Sequence, residues 1–166
     1  MRYIKIIAFV SFYVIIASHV TIAQTYSRNG MVVSSSKVAS KVGIEILKKG
    51  GNAIDASVAT AFALAVTHPT AGNIGGGGFL VFMNSSGTTT TIDFREKAPL
   101  KASSDMFLDE SGNLPKGINL YGGESTMNHI GLKSVGVPGT VAGLYLAHQK
   151  YGNLPWADLV QPSIDL

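Results

Sequence analysis

The chain has no cysteine among its 166 residues. That excludes a disulfide framework and any thiolate metal site. Charge is scarce as well: 14% of residues are Asp, Glu, Lys or Arg, against 46% that are apolar. A chain so apolar and so lightly charged can bury a core, which argues against disorder. Its length suits one domain of ordinary size. The formal net charge is +3, and setting aside the two cations Arg2 and Lys5 leaves +1. No cluster of lysine or arginine remains, so nucleic acid is not an expected partner. His19, His68, His129 and His148 lie far apart without metal-ligand spacing, so no metal site is expected. No motif asks for a cofactor. There is no internal repeat, and low complexity is confined to Thr88 to Thr91.

Long hydrophobic runs are also few. The first has a basic start, Arg2 and Lys5, and an apolar stretch from Ile6 to Ala17. Thr21-Ile22-Ala23 follows, with small residues where a signal peptidase reads. The apolar stretch is short for a membrane span. Residues 1–23 are therefore predicted to be a signal peptide cleaved before Gln24, and the protein to be exported, periplasmic or extracellular. An uncleaved anchor is the alternative. Residues 24–30 form a polar linker, and 31–166 the folded part.

Met31-Val32-Val33 is an apolar run that could pair as a strand. Ser34 to Ser36 offer N-caps for a helix over Lys37 to Lys49, where Val38, Val42 and Ile46 recur every four residues. Gly50-Gly51 suits its left-handed stop. Asn52 caps a second helix, with Asp55 in the capping-box place, so Asp55 is expected to be a cap and not a catalytic acid. The body, Ala53 to Val66, is apolar nearly all round and should be buried, its alanines allowing close approach of a neighbour. His68-Pro69 ends it. Ala98 to Asn128 reads as an irregular excursion with one helical turn near Ser104 to Leu108. Pro138 precedes a helix over Thr140 to Tyr151, stopped by Gly152. Pro155-Trp156 opens a last helical pattern that reaches Leu166 without a cap. The chain is therefore expected to be a piece of a longer protein.

The organising stretch lies between Pro69 and Pro99. Four glycines, Gly75 to Gly78, precede Phe79-Leu80-Val81-Phe82-Met83. A turn, Asn84-Ser85-Ser86-Gly87, leads to a threonine-rich return ending Ile92-Asp93-Phe94-Arg95. This predicts a β-hairpin. The first strand is apolar at every position and is expected to be covered on both faces. In the second, Ile92 and Phe94 point one way and Asp93 and Arg95 the other. Arg95 is the candidate binding residue, since its planar, permanently charged guanidinium can donate two parallel hydrogen bonds to a carboxylate. The alternative is a surface ion pair with Asp93 on the same face. Alternation puts Glu96 on the opposite face, as a structural residue. The glycines lack the Lys-Ser/Thr of a phosphate loop and the preceding strand of a dinucleotide fold. Packing against another backbone or a substrate fits them better. Asn84-Ser85-Ser86 matches a glycosylation triplet, which matters only in a eukaryotic source.

Four motifs together resemble the start of the large subunit of the γ-glutamyltransferases. They are Gly50-Gly51-Asn52-Ala53-Ile54-Asp55-Ala56, Gly72-Asn73-Ile74-Gly75-Gly76-Gly77-Gly78-Phe79, Asp93-Phe94-Arg95-Glu96-Lys97-Ala98-Pro99 and Gly136-Val137-Pro138-Gly139. The resemblance runs from Met31 to Leu166. It implies an α+β fold, the αββα sandwich of N-terminal-nucleophile hydrolases, of which only the N-terminal part is present. It implies a zymogen that cleaves itself autocatalytically, freeing a small subunit whose N-terminal threonine is the nucleophile and whose amine is the base. The activity implied is transfer of the γ-glutamyl group of glutathione or a related donor to water, an amino acid or a peptide. Arg95 matches the arginine that binds the donor's α-carboxylate. No threonine here matches the nucleophile, so no catalytic residue is expected in this chain and the 166 residues alone should be inactive. The partners implied are a small-molecule γ-glutamyl substrate and the small subunit of the same precursor. Two alternatives stay open: a related glutaryl-type acylase, which would tolerate another residue at Arg95, and a non-catalytic exported module that holds a small carboxylate on the hairpin.

Overall fold

Ser36 begins the first helix: its extended backbone turns the chain, and its hydroxyl accepts from the Ala39 amide at 3.4 Å. The computed structural model describes residues 26–118 and 122–166. The expected signal peptide lies outside these residues. The unit described below is Met31–Leu166. Helix α1, Lys37–Lys48, ends at Lys49 with the left-handed Gly50 just beyond (φ 91°). Met31 to Val33 forms no ladder among the described residues, which corrects the expectation of a strand. Val32 instead packs on the core beside Gly43 of α1.

Helix α2, Ala53–Thr67, carries the predicted capping box. Asn52 accepts from the Ile54 and Asp55 amides, and Asp55 accepts from the Asn52 amide at 2.9 Å. It is the buried centre of the unit. Ile54, Ala56, Val58, Ala59 and Ala63 are buried, and α1 and α4 (Trp156–Ile164) both pack on it. Small residues set the α1–α2 spacing, with Gly43 facing Thr60. Ile46 of α1 and Leu159 of α4 are fully buried. Truncating such a side chain to alanine costs about 2–5 kcal/mol. The Trp156 ring makes edge contacts with Phe62 (5.5 Å) and Tyr145 (5.1 Å).

The hairpin is as expected: β1, Phe79–Met83, pairs antiparallel with β2, Thr89–Asp93, in register Phe79↔Asp93 to Met83↔Thr89. Asn84 organises the loop, accepting from the Ser86 and Thr88 amides. Leu80, Phe82, Ile92 and Phe94 face the core. Phe79, Val81 and Met83 do not; they are 65%, 74% and 67% exposed. The expectation of cover on both faces is therefore corrected. An all-apolar strand says that both faces suit burial, and here one face is left largely open among the described residues.

The stretch from Ala98 to Asn128 is more ordered than its composition suggests. Besides turns around Ser104 to Phe107, it holds a second small hairpin, β3 (Lys116–Ile118) with β4 (Glu124–Thr126). Lys116 and Glu124 pair across it at 3.0 Å. A 3₁₀ turn, Leu132–Ser134, leads into Val135 to Gly139 and then helix α3, Thr140–Tyr151. Helix α4 stops at Ile164, with Asp165 as its C-cap and bonded to Gln161 at 2.7 Å.

Asp55 does more than cap. It is fully buried and also accepts from the amides of Asn153 (3.0 and 3.1 Å) and Leu154 (3.3 Å) in the α3–α4 turn. Asn52 donates to the Tyr151 carbonyl and Asn153 to the Gly50 carbonyl, and His148 bonds the Leu154 carbonyl at 2.7 Å. A buried carboxylate surrounded by amide donors is satisfied, and it fastens one end of α2 to that turn. This is the capping role expected for it, extended across the chain.

Candidate functional site

Three of the four sequence motifs meet at residues 94–97. Phe94 continues the β2 pairing for one more step, donating to the Gly78 carbonyl at 3.0 Å. Its ring lies against Gly143 of α3, where any side chain would collide with it. Gly77 lies against the backbone of residues 94–96. A methyl group there would sit 2.6 Å from the Phe94 oxygen and the Glu96 nitrogen. Gly139 presses on the Phe94 carbonyl from the other side, again with no room for a side chain. The amides of Gly139 and Thr140 both donate to the Gly76 carbonyl, at 2.8 and 3.1 Å. Lys97 and Val137 exchange backbone hydrogen bonds at 3.2 and 2.8 Å. The segment carrying Arg95 is thus clamped between the glycine run and the start of α3. The glycines work as the packing device expected of them.

Arg95 leaves the sheet within this clamp, with its backbone amide bonded to Asp93 Oδ1 at 2.9 Å. That bond takes the Asp93 carboxylate into a local turn. The alternative reading, a side-chain ion pair between Arg95 and Asp93, is not found among the described residues, because the Asp93 carboxylate is turned to the backbone. The partner is Glu96, whose Oε2 accepts from Arg95 Nε at 2.8 Å. The expectation that Glu96 faces away is corrected as well: the pairing with β1 ends at Phe94, so alternation does not carry on to Glu96. A signal was available, since an aspartate two residues before the arginine favours such a turn.

The pair is exposed, and the Arg95 side chain keeps 59% of its surface. The Arg95 hydrogen bond lowers the Glu96 pKa below the ordinary carboxylate range, helped by backbone donors. The same bond raises the Arg95 pKa, with the Glu96 and Asp93 charges adding to it. The guanidinium carbon stands 5.8 Å from the Phe79 ring centre, near enough for a cation–π contact. Among the described residues no group accepts from the two Nη groups of Arg95. A guanidinium held through Nε has both Nη groups left for a carboxylate.

Two hollows adjoin Arg95. One, of about 380 Å³, lies between residues 95–99, Ala102 to Phe107 and Lys133 to Gly136. The other, of about 270 Å³, lies over Phe94 and the start of α3 and is lined by Val137, Pro138 and Leu146. Lys97 and Lys133 were not singled out from the sequence as site residues. Lys133 sits in a stretch without periodicity and gave no signal. No group of three or more His, Cys, Asp or Glu among the described residues could hold a metal ion, and no described helix is long and apolar enough to cross a membrane.

Residues 39–166 match the family model described as gamma-glutamyltranspeptidase. Two curated relatives, each named glutathione hydrolase proenzyme, come from Pseudomonas sp. strain A14 and Escherichia coli K12. Each is 51% identical over 140 residues, covering 84% of this chain and 23% of the relative. The solved gamma-glutamyltranspeptidase of Helicobacter pylori superposes with a TM-score of 0.75 at 46% identity, over 86% of this chain and 38% of that one. The mixed helix-and-sheet fold expected from the motifs is thus shared with solved members of the N-terminal-nucleophile hydrolases. The chain spans about a quarter of the length of the curated relatives it matches.

Proposed function

The chain belongs to the gamma-glutamyltranspeptidase family, and from that premise we propose that it is the N-terminal part of an exported γ-glutamyltransferase precursor, with Arg95 as the residue that grips the donor's α-carboxylate. The reaction of the whole enzyme is transfer of the γ-glutamyl group of glutathione or a related donor to water, an amino acid or a peptide. The nucleophilic threonine and its amine base belong to the portion of the relatives that this chain does not span. This chain contributes binding and not bond-making. Its partner is the small subunit cut from the same precursor, and residues 1–23 direct export.

One observation carries the proposal: Arg95 is fixed by a backbone clamp and by Glu96, yet both Nη groups are left for a ligand. A planar cation with a fixed Nε is pre-oriented for the two-point grip that a carboxylate offers. Lysine cannot reproduce that geometry. In the mature full-length enzyme, Arg95→Lys should lower kcat/KM for a γ-glutamyl anilide more than tenfold, since losing one partner of a desolvated pair costs about 2–5 kcal/mol. Unchanged donor use would refute the assignment. A glutaryl anilide, which keeps the terminal carboxylate and lacks only the α-amino group, should be the poorer donor for the unaltered enzyme. Equal use of the two donors would favour an acylase. The 166-residue chain alone should not turn over either donor.

A further inference from the structure

The hollow on the 133–136 side of Arg95 has an uneven charge. Its ionisable lining residues are Arg95, Lys97 and Lys133 against the single carboxylate Glu96. Its walls are joined at two places. The Lys97–Val137 bridge ties the Arg95 strand to the segment before α3. Lys133 Nζ donates to the Met106 carbonyl at 3.0 Å, joining the 3₁₀ turn to the loop 27 positions earlier. That bond uses one of three ammonium hydrogens and leaves two for a ligand. Glu96 is already engaged with Arg95, so a ligand in the groove meets an excess of positive charge. A groove of about 380 Å³ is large enough for a small peptide-sized ligand.

We propose that this groove seats the part of the donor beyond the γ-glutamyl group, and that Lys133 recognises a second, distal carboxylate there. The inference rests on the assignment of Arg95 to the α-carboxylate. With one carboxylate at Arg95, a donor lying along the groove brings its other end toward Lys133. Lys133 is then a specificity residue and takes no part in bond-making. Lys97, on the same wall, adds to the field without needing a direct contact.

The test uses the mature full-length enzyme and two donors that differ by one carboxylate: γ-glutamyl-4-nitroanilide and γ-glutamyl-3-carboxy-4-nitroanilide. Lys133→Met should raise KM for the carboxylated donor by about fivefold, the top of the range for a partly exposed ion pair. KM for the plain anilide should stay within about twofold on the same argument, and kcat should be unchanged for both. Lys133→Arg should restore the preference. Lys133→Gln keeps a donor for the Met106 carbonyl but removes the charge, so it should show the same selective rise, and it replaces Lys133→Met as the test if the methionine variant folds poorly. An equal rise for both donors would show that Lys133 only holds the loop, and would overturn the proposal. No change for either donor would overturn it too. The Arg95 assignment fails separately: Arg95→Lys should impair both donors alike. If it impairs neither while Lys133→Met still discriminates, Lys133 stands as a carboxylate contact and the Arg95 assignment falls.

Discussion

Gly75 and Gly77 lie two residues apart in one glycine run, yet the fold predicts opposite fates for them. A methyl group at Gly77 would sit 2.6 Å from the Phe94 oxygen and the Glu96 nitrogen and 2.8 Å from the Arg95 carbonyl carbon. All three are backbone atoms, so no side chain can swing aside. Reaching an ordinary contact near 3.4 Å requires roughly 0.8 Å of movement, which the clamp transmits to the residue bearing the guanidinium. At Gly75 the nearest atom is Asn73 Oδ1 at 3.5 Å, the end of a side chain at ordinary distance. Forced overpacking costs about 1–3 kcal/mol. A misplacement near 1 Å can cost about a hundredfold in rate. Gly77→Ala in the full-length enzyme should therefore lose about 1–3 kcal/mol in a denaturant titration and lower kcat/KM for a γ-glutamyl anilide by more than about tenfold. Gly75→Ala should lose neither. If the two variants behave alike, Gly77 does not set the position of Arg95, and the clamp account is wrong.

Asp55→Ala should be destabilising, because it empties a fully buried position and removes the acceptor of the part-buried amides of Asn52, Asn153 and Leu154. Part-buried amides regain some water, so a loss of about 1–3 kcal/mol in all is expected by urea unfolding, and a loss under about 0.5 kcal/mol would contradict the role given to it. The Glu96 carboxyl should titrate below an ordinary glutamate when followed by carboxyl NMR, because the Arg95 hydrogen bond stabilises its charged form. A depressed folded pKa means that this contribution is fully present above the ordinary carboxylate pKa and is lost as pH falls through the lowered value. Arg95→Ala should move the Glu96 titration back up, and an unmoved titration would show that the pair does not form in solution.

Local signals in the chain specify the helices without reference to tertiary contacts. Ser36, Asn52 with Asp55, Gly50 and Gly152 mark caps and stops by chemistry confined to a few neighbouring residues, and the helices follow them. The hairpin was equally plain, from an apolar run, an Asn-to-Gly turn and a return of β-branched residues. Arg95 was legible as a candidate because arginine at a strand exit is a chemically specific choice, sharpened by four motifs in order. What failed were inferences that carry a local rule past its range. Alternation does not extend to Glu96, because the pairing ends at Phe94 and the Arg95 amide turns back to Asp93. Cover on both faces was inferred for β1, although burial depends on whether a neighbour exists.

The sequence by itself determined where the backbone turns, which faces are apolar and which residue could grip a carboxylate, because those follow from hydrogen bonds and hydropathy within a few positions. Only the tertiary structure decided that the glycines of two distant motifs close on one peptide segment, that Glu96 and not Asp93 holds the arginine, that Asp55 serves a turn about a hundred residues away, and that Lys133 shares a groove with Arg95. Each of these is a contact between segments far apart in the chain. Excluded volume and desolvation select such contacts only after the segments have been brought together, so no window of sequence contains them.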